Sequence, residues 1–439
     1  MANACGGMND RASTRCADPP LNVLALAPLP YLEDGVAAFT GGASIFYAEL
    51  LPRLARLGHR VRVIAEAPPA RNEEVRTGLR WDEPNLTVEW FVYEYRSSLS
   101  PPPAAFRAQA SLTIQRVFDR LVADRRPDVV LLGREVTSLY VLERCRHYEL
   151  PAVLISHGVA PSALLRGLYP DGLAREVVEC LCAVEAVVAI ARHVEEMLRR
   201  LGVTAVVTIP NVADTEKFHP QPKDPRLLRT LRLSPTQPVV GHVSVLRPAK
   251  RTLDIVDSAA GVLRARPDIV YIVVGNGPCR REMEERARQQ GILASFRFVG
   301  EVGHEQVPRY VNLCDVVVLS SEREGLPLIG LETQACGRVL LASDIAASRE
   351  LIVEGETGAL FQTGDVGDLT AKTLALIEDR GLRDAIGRRA RAGAEQRRPA
   401  DWSRAYAQVL RRTAARGPGR GKHTAPRTLL RAADTSGGL

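Results

Sequence analysis

The sequence predicts two doubly wound α/β domains that face each other across a cleft, and three observations support this prediction. Short apolar runs rich in β-branched residues alternate with amphipathic helical stretches, which is the pattern of a parallel sheet covered on both faces. The alternation restarts near Pro238, after a proline-rich segment, so two such sheets follow one another in the chain. A chain of 439 residues has room for two large domains of this kind.

The first domain is predicted over residues 21–218, after a flexible N-terminus of residues 1–20. Its opening strand is Leu21 to Ala27, and a helix follows from about Ala43 to Leu57. Gly58 and His59 mark the end of that helix. The further predicted strands are 60–65, 86–93, 129–132, 152–155 and 186–190.

A linker over residues 219–237 leads to a second domain, predicted over residues 238–396. The predicted strands of this domain are 239–245, 269–274, 296–299, 316–320 and 339–342, and its first two helices are 251–264 and 278–290. Asp368 is a predicted N-cap for a helical stretch that runs to Gly393. A last helix is predicted over residues 397–413, followed by a basic disordered tail over residues 414–439.

Composition is that of a soluble globular protein and excludes several classes. The chain is 46% hydrophobic and 25% charged, and no stretch of about 18 apolar residues runs without a charge, so no transmembrane span is predicted. The first twenty residues lack the apolar core of a secretory signal, and we predict a cytoplasmic protein. Eight cysteines without a C-x-x-C pair favour small buried thiols over a zinc site or a disulfide framework.

The net charge of +7 belongs to the C-terminal tail. Between Arg411 and Arg431 there are seven basic residues and no acidic one, which leaves 51 residues of each sign in the rest of the chain. A nucleic-acid enzyme needs a basic groove within its fold, so no nucleic-acid partner is predicted. A solvated tail without a specific role is the simplest interpretation, and weak peripheral contact with an anionic membrane or polymer is the alternative.

The most informative segment follows the predicted strand that ends near Ser320. Glu324 lies in the loop, and Pro327 suits the first turn of a helix because its missing N–H would be an orphan there. The amides of Leu328 and Ile329 would then point out of a helix N-terminus, which binds phosphate well. Glu332 is eight residues after Glu324, so both carboxylates could contact one ligand that also presents a diphosphate. Taken alone, such a spacing more often means that Glu324 is a solvated loop acid and Glu332 a surface helix acid.

This segment resembles the E-x7-E signature of the retaining glycosyltransferases of family 4 (glycosyl transferases group 1), which have the GT-B fold. The resemblance extends from about Leu21 to Arg391. The other matching motifs are Gly41-Gly42-Ala43, Leu57–Val61, Ile209–Asp214 with Phe218, Val274–Pro278 and Gly355–Phe361. Val212 departs from the family pattern, which has glycine there. The resemblance implies a GT-B fold with two Rossmann-like, doubly wound domains, a donor site in the second domain and an acceptor site in the first. It also implies that the 397–413 helix returns to the first domain.

The resemblance assigns roles to individual residues. Glu324 would contact hydroxyls of the transferred sugar near its reacting carbon, Glu332 would bond the nucleotide ribose, and the Leu328 and Ile329 amides would cradle the diphosphate. His157, which follows a predicted strand of the first domain, would face the sugar, with a packed structural histidine as the alternative. The donor-binding residues implied are Gly42, Arg247, Lys250, Asn276, Gly277, Gly325, Leu328, Ile329 and Glu332.

The cations for the leaving diphosphate are expected in the loop after the first strand of the second domain. Lys250 fits the lysine of the family pattern, but Val245 stands where relatives have arginine. Arg247, two residues later, is predicted to supply the second cation, and the alternative is that Arg247 and Arg251 are merely solvated. The histidines other than His157, among them His193, His242 and His304, have no metal-ligand spacing and are interpreted as structural.

The predicted function is transfer of a sugar from a nucleotide diphosphate sugar to an acceptor hydroxyl of a small molecule, lipid or glycan, with retention of anomeric configuration. No D-x-D carboxylate pair occurs, so fixed cations and a helix N-terminus would hold the diphosphate and no metal is predicted. No cofactor is predicted, because the nucleotide sugar is a substrate. The alternatives are a GT-B enzyme with phosphorylase-like or non-glycosidic chemistry, and a catalytically silent nucleotide-sugar binder.

Overall fold

The computed structural model describes residues 19–33, 36–38, 41–67, 83–92 and 104–419. Two separate parallel sheets dominate this part of the chain, and helices cover both faces of each sheet. A two-stranded antiparallel pair, β2 (Tyr31–Glu33) with β3 (Val36–Ala38), accompanies them. The predicted α/β architecture of two doubly wound domains is confirmed.

The first sheet has seven strands in the order β5-β4-β1-β6-β7-β8-β9. Its strands are β1 (Asn22–Leu26), β4 (Arg60–Ala67), β5 (Leu86–Val92), β6 (Val129–Leu132), β7 (Ala152–Ser156), β8 (Ala186–Ala189) and β9 (Val206–Thr208). The helices between them are α1 (Gly42–Arg56), α2 (Ala104–Asp124), α3 (Glu135–His147), α4 (Val159–Leu165), α5 (Asp171–Ala183) and α6 (Arg192–Arg200). The strand order reverses between β1 and β6, which creates a topological switch point at the carboxyl ends of those two strands.

The second sheet has six strands in the order β12-β11-β10-β13-β14-β15. Its strands are β10 (Val239–Val243), β11 (Val270–Val274), β12 (Phe296–Gly300), β13 (Val316–Leu319), β14 (Val339–Ser343) and β15 (Ala359–Phe361). Its helices are α8 (Thr252–Ala265), α9 (Arg280–Gln289), α10 (Val307–Leu313), α11 (Leu328–Ala335), α12 (Ala346–Leu351), α13 (Val366–Glu378) and α14 (Arg380–Glu395), with 3-10 turns at Pro248–Lys250 and Leu293–Ser295. The switch point of this sheet lies between β10 and β13.

Alternate residues of the central strands pack into different apolar clusters. On β11, Ile272 and Val274 join a cluster that continues through the first domain, whereas Tyr271 and Val273 join the cluster on the opposite face. This is the period of two that a strand buried on both faces requires. The second sheet is therefore covered by α10 and α11 on one face, in the cluster that continues into the first domain, and by α8, α9 and α13 on the other.

Two segments connect the domains. Residues 209–238 cross from β9 to β10 and contain a short helix, α7 (Pro225–Thr230), in the region predicted as a linker; the Asp224 carboxylate caps this helix through the amides of Arg226 and Leu227. The last helix, α15 (Pro399–Arg416), lies against the first domain, where Trp402 packs edge-to-face on Phe46.

Several boundaries differ from the sequence-based prediction. The helix that contains Asp368 starts earlier: Asp365, not Asp368, is its N-cap, because the Asp365 carboxylate accepts from the Asp368 amide. Asp379 then caps a separate helix, so the predicted single stretch is two helices. The final helix extends to Arg416, three residues past its predicted end at residue 413. The predicted flexible N-terminus falls outside the described residues up to residue 18, and the tail does so from residue 420.

Among the described residues no helix is long and apolar enough to cross a membrane.

Candidate functional site

The switch point of the second sheet brings together the two loops that the sequence singled out. One loop follows β10 and contains Arg247 and Lys250; the other follows β13 and contains Glu324. Backbone and side-chain bonds join them: the Glu322 amide donates to the Ala249 carbonyl at 3.0 Å, and the Ser320 hydroxyl donates to the Lys250 carbonyl at 2.7 Å. The two loops therefore form one wall of the cleft.

Glu324 and Lys250 form an ion pair at the centre of this wall. The Lys250 ammonium contacts Oε1 of Glu324, and the Ser321 hydroxyl donates to the same oxygen at 2.6 Å. The Glu324 side chain keeps 12% of its surface exposed and the Lys250 side chain 25%, so both can reach a ligand in the cleft. Glu324 is thus held by two donors and is not a freely solvated loop acid.

The glycine turn after β11 contacts the loop after β10 that contains Arg247 and Lys250, called the cation loop below. A Cβ on Gly275 would lie 1.9 Å from the Ser244 carbonyl oxygen, and one on Gly277 would lie 2.5 Å from that of Leu246. A hydrogen bond from the Leu246 amide to the Asn276 carbonyl (2.9 Å) fixes the contact. The Asn276 side chain is exposed and accepts from the Gly277 amide. The turn therefore shapes the loop through its backbone.

The N-terminus of α11 lies beside the ion pair. Pro327 is the N-cap residue, one position before the first turn where the sequence suggested it, and Leu328 and Ile329 are the first two helical residues. The first amides of a helix have no intrahelical acceptor, because the backbone bonds begin later, here with the Gly330 amide donating to the Pro327 carbonyl. These two N–H groups and the helix dipole make the position attractive for an anion.

Glu332 is buried, with 5% of its surface exposed, so it is not a surface helix acid. His304 Nε2 lies 2.6 Å from its Oε1, and the other ring nitrogen of His304 lies 2.8 Å from the Lys217 ammonium. Because an ammonium can only donate, His304 Nδ1 accepts and Nε2–H donates to Glu332. His304, interpreted as structural from sequence, therefore orients the Glu332 carboxylate. Lys217 also pairs with Glu49 on α1. One chain of polar contacts therefore runs from Glu332 through His304 and Lys217 to Glu49.

His157 lies where the two domains contact each other. Its Nε2 is 3.1 Å from the Tyr47 hydroxyl, which itself donates to the Gly133 carbonyl at 3.0 Å. Burial, with a smaller contribution from the charge of Arg134, lowers the pKa of His157 to about 3, so the ring is neutral at neutral pH. A Cβ on Gly325 would lie 2.0 Å from the His157 carbonyl oxygen, and only glycine permits this approach.

Three further side chains hold the domains together at the Glu324 loop, and sequence reasoning identified none of them as part of the site. His193 Nε2 lies 3.2 Å from the Glu324 carbonyl oxygen, and Glu350 accepts from the His193 amide and lies 2.5 Å from its Nδ1. Burial raises the pKa of Glu350, but these bonds outweigh it and hold the pKa at about 2. Asn211, from the Ile-Pro-Asn motif, donates to the Leu326 carbonyl at 3.0 Å. The position of His193 just after β8 was the available signal, since strand-end loops line the cleft.

The two arginines of the cation loop have different surroundings. Arg251 is paired with Asp254 through two bonds of 2.7 and 3.2 Å, so its charge is already compensated. Arg247 is exposed, and the described residues give it no carboxylate partner. Of the two candidates, Arg247 is therefore the one available to a ligand. Gly42, also predicted to bind the donor, is the exposed first residue of α1, where a Cβ would meet nothing within 4 Å.

Three other features that the sequence raised are possible metal ligands, the cysteines and His242. Within the described ranges no group of three His, Cys, Asp or Glu side chains is arranged to hold a metal ion. Six cysteines belong to those ranges, and all six are buried and free. His242 is buried between the Val318 carbonyl at 2.9 Å and the Ser244 hydroxyl at 2.7 Å, and burial lowers its pKa to about 4. His242 therefore braces β10 against β13 as a neutral ring.

Comparisons with known proteins show which family the chain resembles. The family model described as Glycosyltransferase Family 4 matches residues 40–217, and the model described as Glycosyl transferases group 1 matches residues 225–393. The chain is 27% identical over 353 residues to a phosphatidyl-myo-inositol mannosyltransferase of Mycobacterium leprae, covering 79% of this chain and 90% of that protein. It is 23% identical to an N-acetyl-alpha-D-glucosaminyl L-malate synthase of Bacillus anthracis, covering 82% and 91%.

Solved structures share the fold. Anabaena HepE in complex with UDP and glucose superposes with a TM-score of 0.72 at 20% identity, covering 89% of this chain and 99% of that one. Sucrose-phosphate synthase from Thermosynechococcus elongatus gives a TM-score of 0.75 at 19% identity, covering 90% and 99%. The two family models follow one another with only residues 218–224 between them, one on each domain. The chain therefore belongs to the group 1 glycosyltransferases and has the GT-B fold.

Proposed function

We propose that this glycosyltransferase moves a sugar from a nucleotide diphosphate sugar to an acceptor hydroxyl with retention of anomeric configuration. The observation that supports this best is the Lys250–Glu324 pair beside the free amides of α11, at the switch point of the second sheet. The cations and amides suit a diphosphate, and the carboxylate beside them suits sugar hydroxyls. Glu332, one turn into the helix, would take the ribose.

The chemistry proposed is attack from the face that the diphosphate leaves. The acceptor oxygen would form a bond to the anomeric carbon while the carbon–oxygen bond to phosphate breaks, its electron pair staying on the phosphate oxygen. That oxygen would accept the proton of the acceptor hydroxyl. A double displacement would need a carboxylate against the far face of the anomeric carbon, and Glu324 is already held by Lys250 and Ser321. His157, neutral, would contribute its carbonyl or ring dipole to the cationic sugar.

The donor can be identified by a thermal-shift screen against UDP-, GDP- and ADP-sugars. A ligand at about 100 times its dissociation constant stabilises the folded protein by about 2.7 kcal/mol. UDP-sugars are tested because HepE was solved in complex with UDP and glucose. GDP-sugars are tested because a Corynebacterium glutamicum relative is named as a GDP-mannose-dependent mannosyltransferase. The product formed with the stabilising donor is then examined by NMR. An inverted anomer would contradict the proposed retention, and the absence of any nucleotide binding would contradict the whole proposal.

Transfer is expected to persist in excess EDTA. Lys250, Arg247 and the amides of Leu328 and Ile329 would supply the positive charge that a divalent cation supplies to the diphosphate in metal-dependent transferases. Initial rates are measured after dialysis against EDTA, with and without added Mg²⁺ or Mn²⁺. Strict dependence on either ion would contradict the proposal of a metal-independent enzyme.

Replacing Glu332 by alanine is expected to weaken donor binding by about tenfold to a hundredfold, because hydrogen bonds from the ribose hydroxyls to a charged carboxylate would be lost. Turnover at saturating donor should fall much less, since a ribose contact exists in both the bound and the transition state. Calorimetry gives the affinity and single-turnover kinetics the rate. Glu282→Ala, an exposed acid on α9, is the matched control. Lost turnover at unchanged donor affinity would exclude the ribose role.

A further inference from the structure

A second arginine without an ion-pair partner among the described residues lies in the first domain, at the switch point of that sheet. Arg134 follows β6 directly and is the N-cap residue of α3, so it lies at the switch point between β1 and β6. Ligands of open α/β sheets bind at such points, outside the carboxyl ends of the strands. The two switch points of this protein therefore each present one guanidinium group.

The backbone around Arg134 is fixed. The Gly133 amide donates to the Leu26 carbonyl at 2.8 Å, and a Cβ on Gly133 would lie 2.8 Å from that same oxygen. The Tyr47 hydroxyl donates to the Gly133 carbonyl and bonds to His157, so the arginine is anchored next to the predicted sugar-facing histidine. A half-buried side chain on so rigid a support is suited to binding a ligand group at a defined position.

Among the residues that the structure describes, no carboxylate forms an ion pair with Arg134, although its charge acts on the neighbouring Glu135. The adjacent acid, Glu135, is buried and accepts from the Ser156 hydroxyl at 2.6 Å, and burial raises its pKa. By contrast, Arg144 of the same helix is paired with Asp119 at 2.7 Å. Partial loss of water contact and then the charge of Arg134 lower the pKa of Arg247, so the two guanidinium groups act on each other electrostatically.

We propose that Arg134 binds an anionic group of the acceptor, a phosphate or carboxylate, and so restricts the enzyme to acceptors that carry one near the reacting hydroxyl. This inference rests on the proposed function. The donor diphosphate is assigned to Lys250, Arg247 and the α11 amides in the second domain. Arg134 belongs to the first domain, where the acceptor would bind, and a positive charge without an ion-pair partner at the end of a strand favours an anion.

The first test measures anion binding to the full-length protein saturated with the nucleoside diphosphate that the donor screen identifies. Inorganic phosphate is titrated at constant ionic strength into wild type, Arg134→Met, Arg134→Lys and the control Arg281→Met, whose side chain is 88% exposed on α9. We expect Arg134→Met to weaken phosphate binding by about tenfold to a hundredfold, Arg134→Lys to restore part of it, and the control to match wild type.

Three results would overturn the inference: no phosphate binding to the nucleotide-saturated wild type, equal phosphate affinity in Arg134→Met, or a matching loss of nucleoside diphosphate affinity in Arg134→Met. The last would assign Arg134 to the donor. Failure of the proposed function is distinguishable, because then no nucleoside diphosphate would bind to wild type.

The second test uses acceptors that share one scaffold. Glycerol, glycerate and glycerol 3-phosphate are offered with the donor, and vesicles of phosphatidylglycerol are compared with vesicles of neutral diacylglycerol. We expect preference for the charged member of whichever set is glycosylated, soluble or lipid, and loss of that preference in Arg134→Met while donor hydrolysis is unchanged. Preference for the neutral member, or a charge preference that survives the substitution, would contradict the inference.

Discussion

Replacing Glu324 by glutamine is expected to lower turnover by about 10² to 10³ while the nucleotide still binds. The substitution keeps the shape and removes the charge that stabilises the reacting sugar, and loss of one fixed transition-state contact typically has an effect of this size. It also leaves the Lys250 ammonium without the carboxylate that it contacts. Single-turnover kinetics with saturating donor measures the rate of transfer, and calorimetry of the nucleoside diphosphate measures nucleotide binding.

Glu322→Gln is the matched control for Glu324. It lies in the same loop, pairs with Arg323 at 3.2 Å on the surface and contributes only its backbone amide to the contact with Ala249. Turnover in this variant should equal that of wild type. An active Glu324→Gln enzyme would remove Glu324 from the proposed chemistry. A glycosyl adduct on Glu324, detected by mass spectrometry, would instead contradict only the same-face mechanism.

Replacing Lys250 by methionine is expected to lower turnover by about a hundredfold or more and to weaken binding of the nucleoside diphosphate as well. The ammonium has three donors, so it can hold Glu324 and a phosphate oxygen at once, and its charge would stabilise the leaving group. Removing one partner of a partly buried pair also leaves the other charge uncompensated. Glu324 would then lose one of the two donors that orient it.

For Lys250→Met, the conservative variant is Lys250→Arg and the matched control is Lys372→Met. Arginine keeps the charge but not the compact geometry of an ammonium, so partial activity is expected. Lys372 is on α13 and pairs with Glu354 at 3.3 Å, and its replacement should leave kinetics unchanged. Thermal midpoints of all variants are compared first, so that a loss of folding is not mistaken for a loss of chemistry. Wild-type turnover in Lys250→Met would contradict its role at the diphosphate.

Sequence reasoning predicted the elements well because their signals are local. The apolar runs at Val129–Leu132 and Val316–Leu319 read as strands with no knowledge of their neighbours, and the structure has strands at those residues. The prediction was less accurate at helix ends: Asp365, not Asp368, is the N-cap, since either aspartate satisfies the sequence signal and only the backbone conformation selects one. Pro327 likewise lies one position outside the helix that it was expected to open.

The polar partners of the site could not be predicted in the same way. Lys250 and Glu324 were both candidates, but their direct contact joins residues 74 positions apart, and His193 reaches the Glu324 carbonyl across 131 positions. His304 has no spacing that relates it to Glu332, yet its ring fixes that carboxylate. Such bonds depend on which loops the sheet order places side by side.

By itself, therefore, the sequence determined two doubly wound domains and the loops at their strand ends, because periodicity, capping and turn chemistry are properties of neighbouring residues. The E-x7-E segment pointed to glycosyl transfer only through its resemblance to a known family. The tertiary structure alone decided which charges meet. It pairs Arg251 with Asp254 and leaves Arg247 and Arg134 without a carboxylate partner among the described residues. Burial and long-range hydrogen bonds set the orientation and protonation of the site, and both arise only when the parallel strands are aligned and the two domains are packed together.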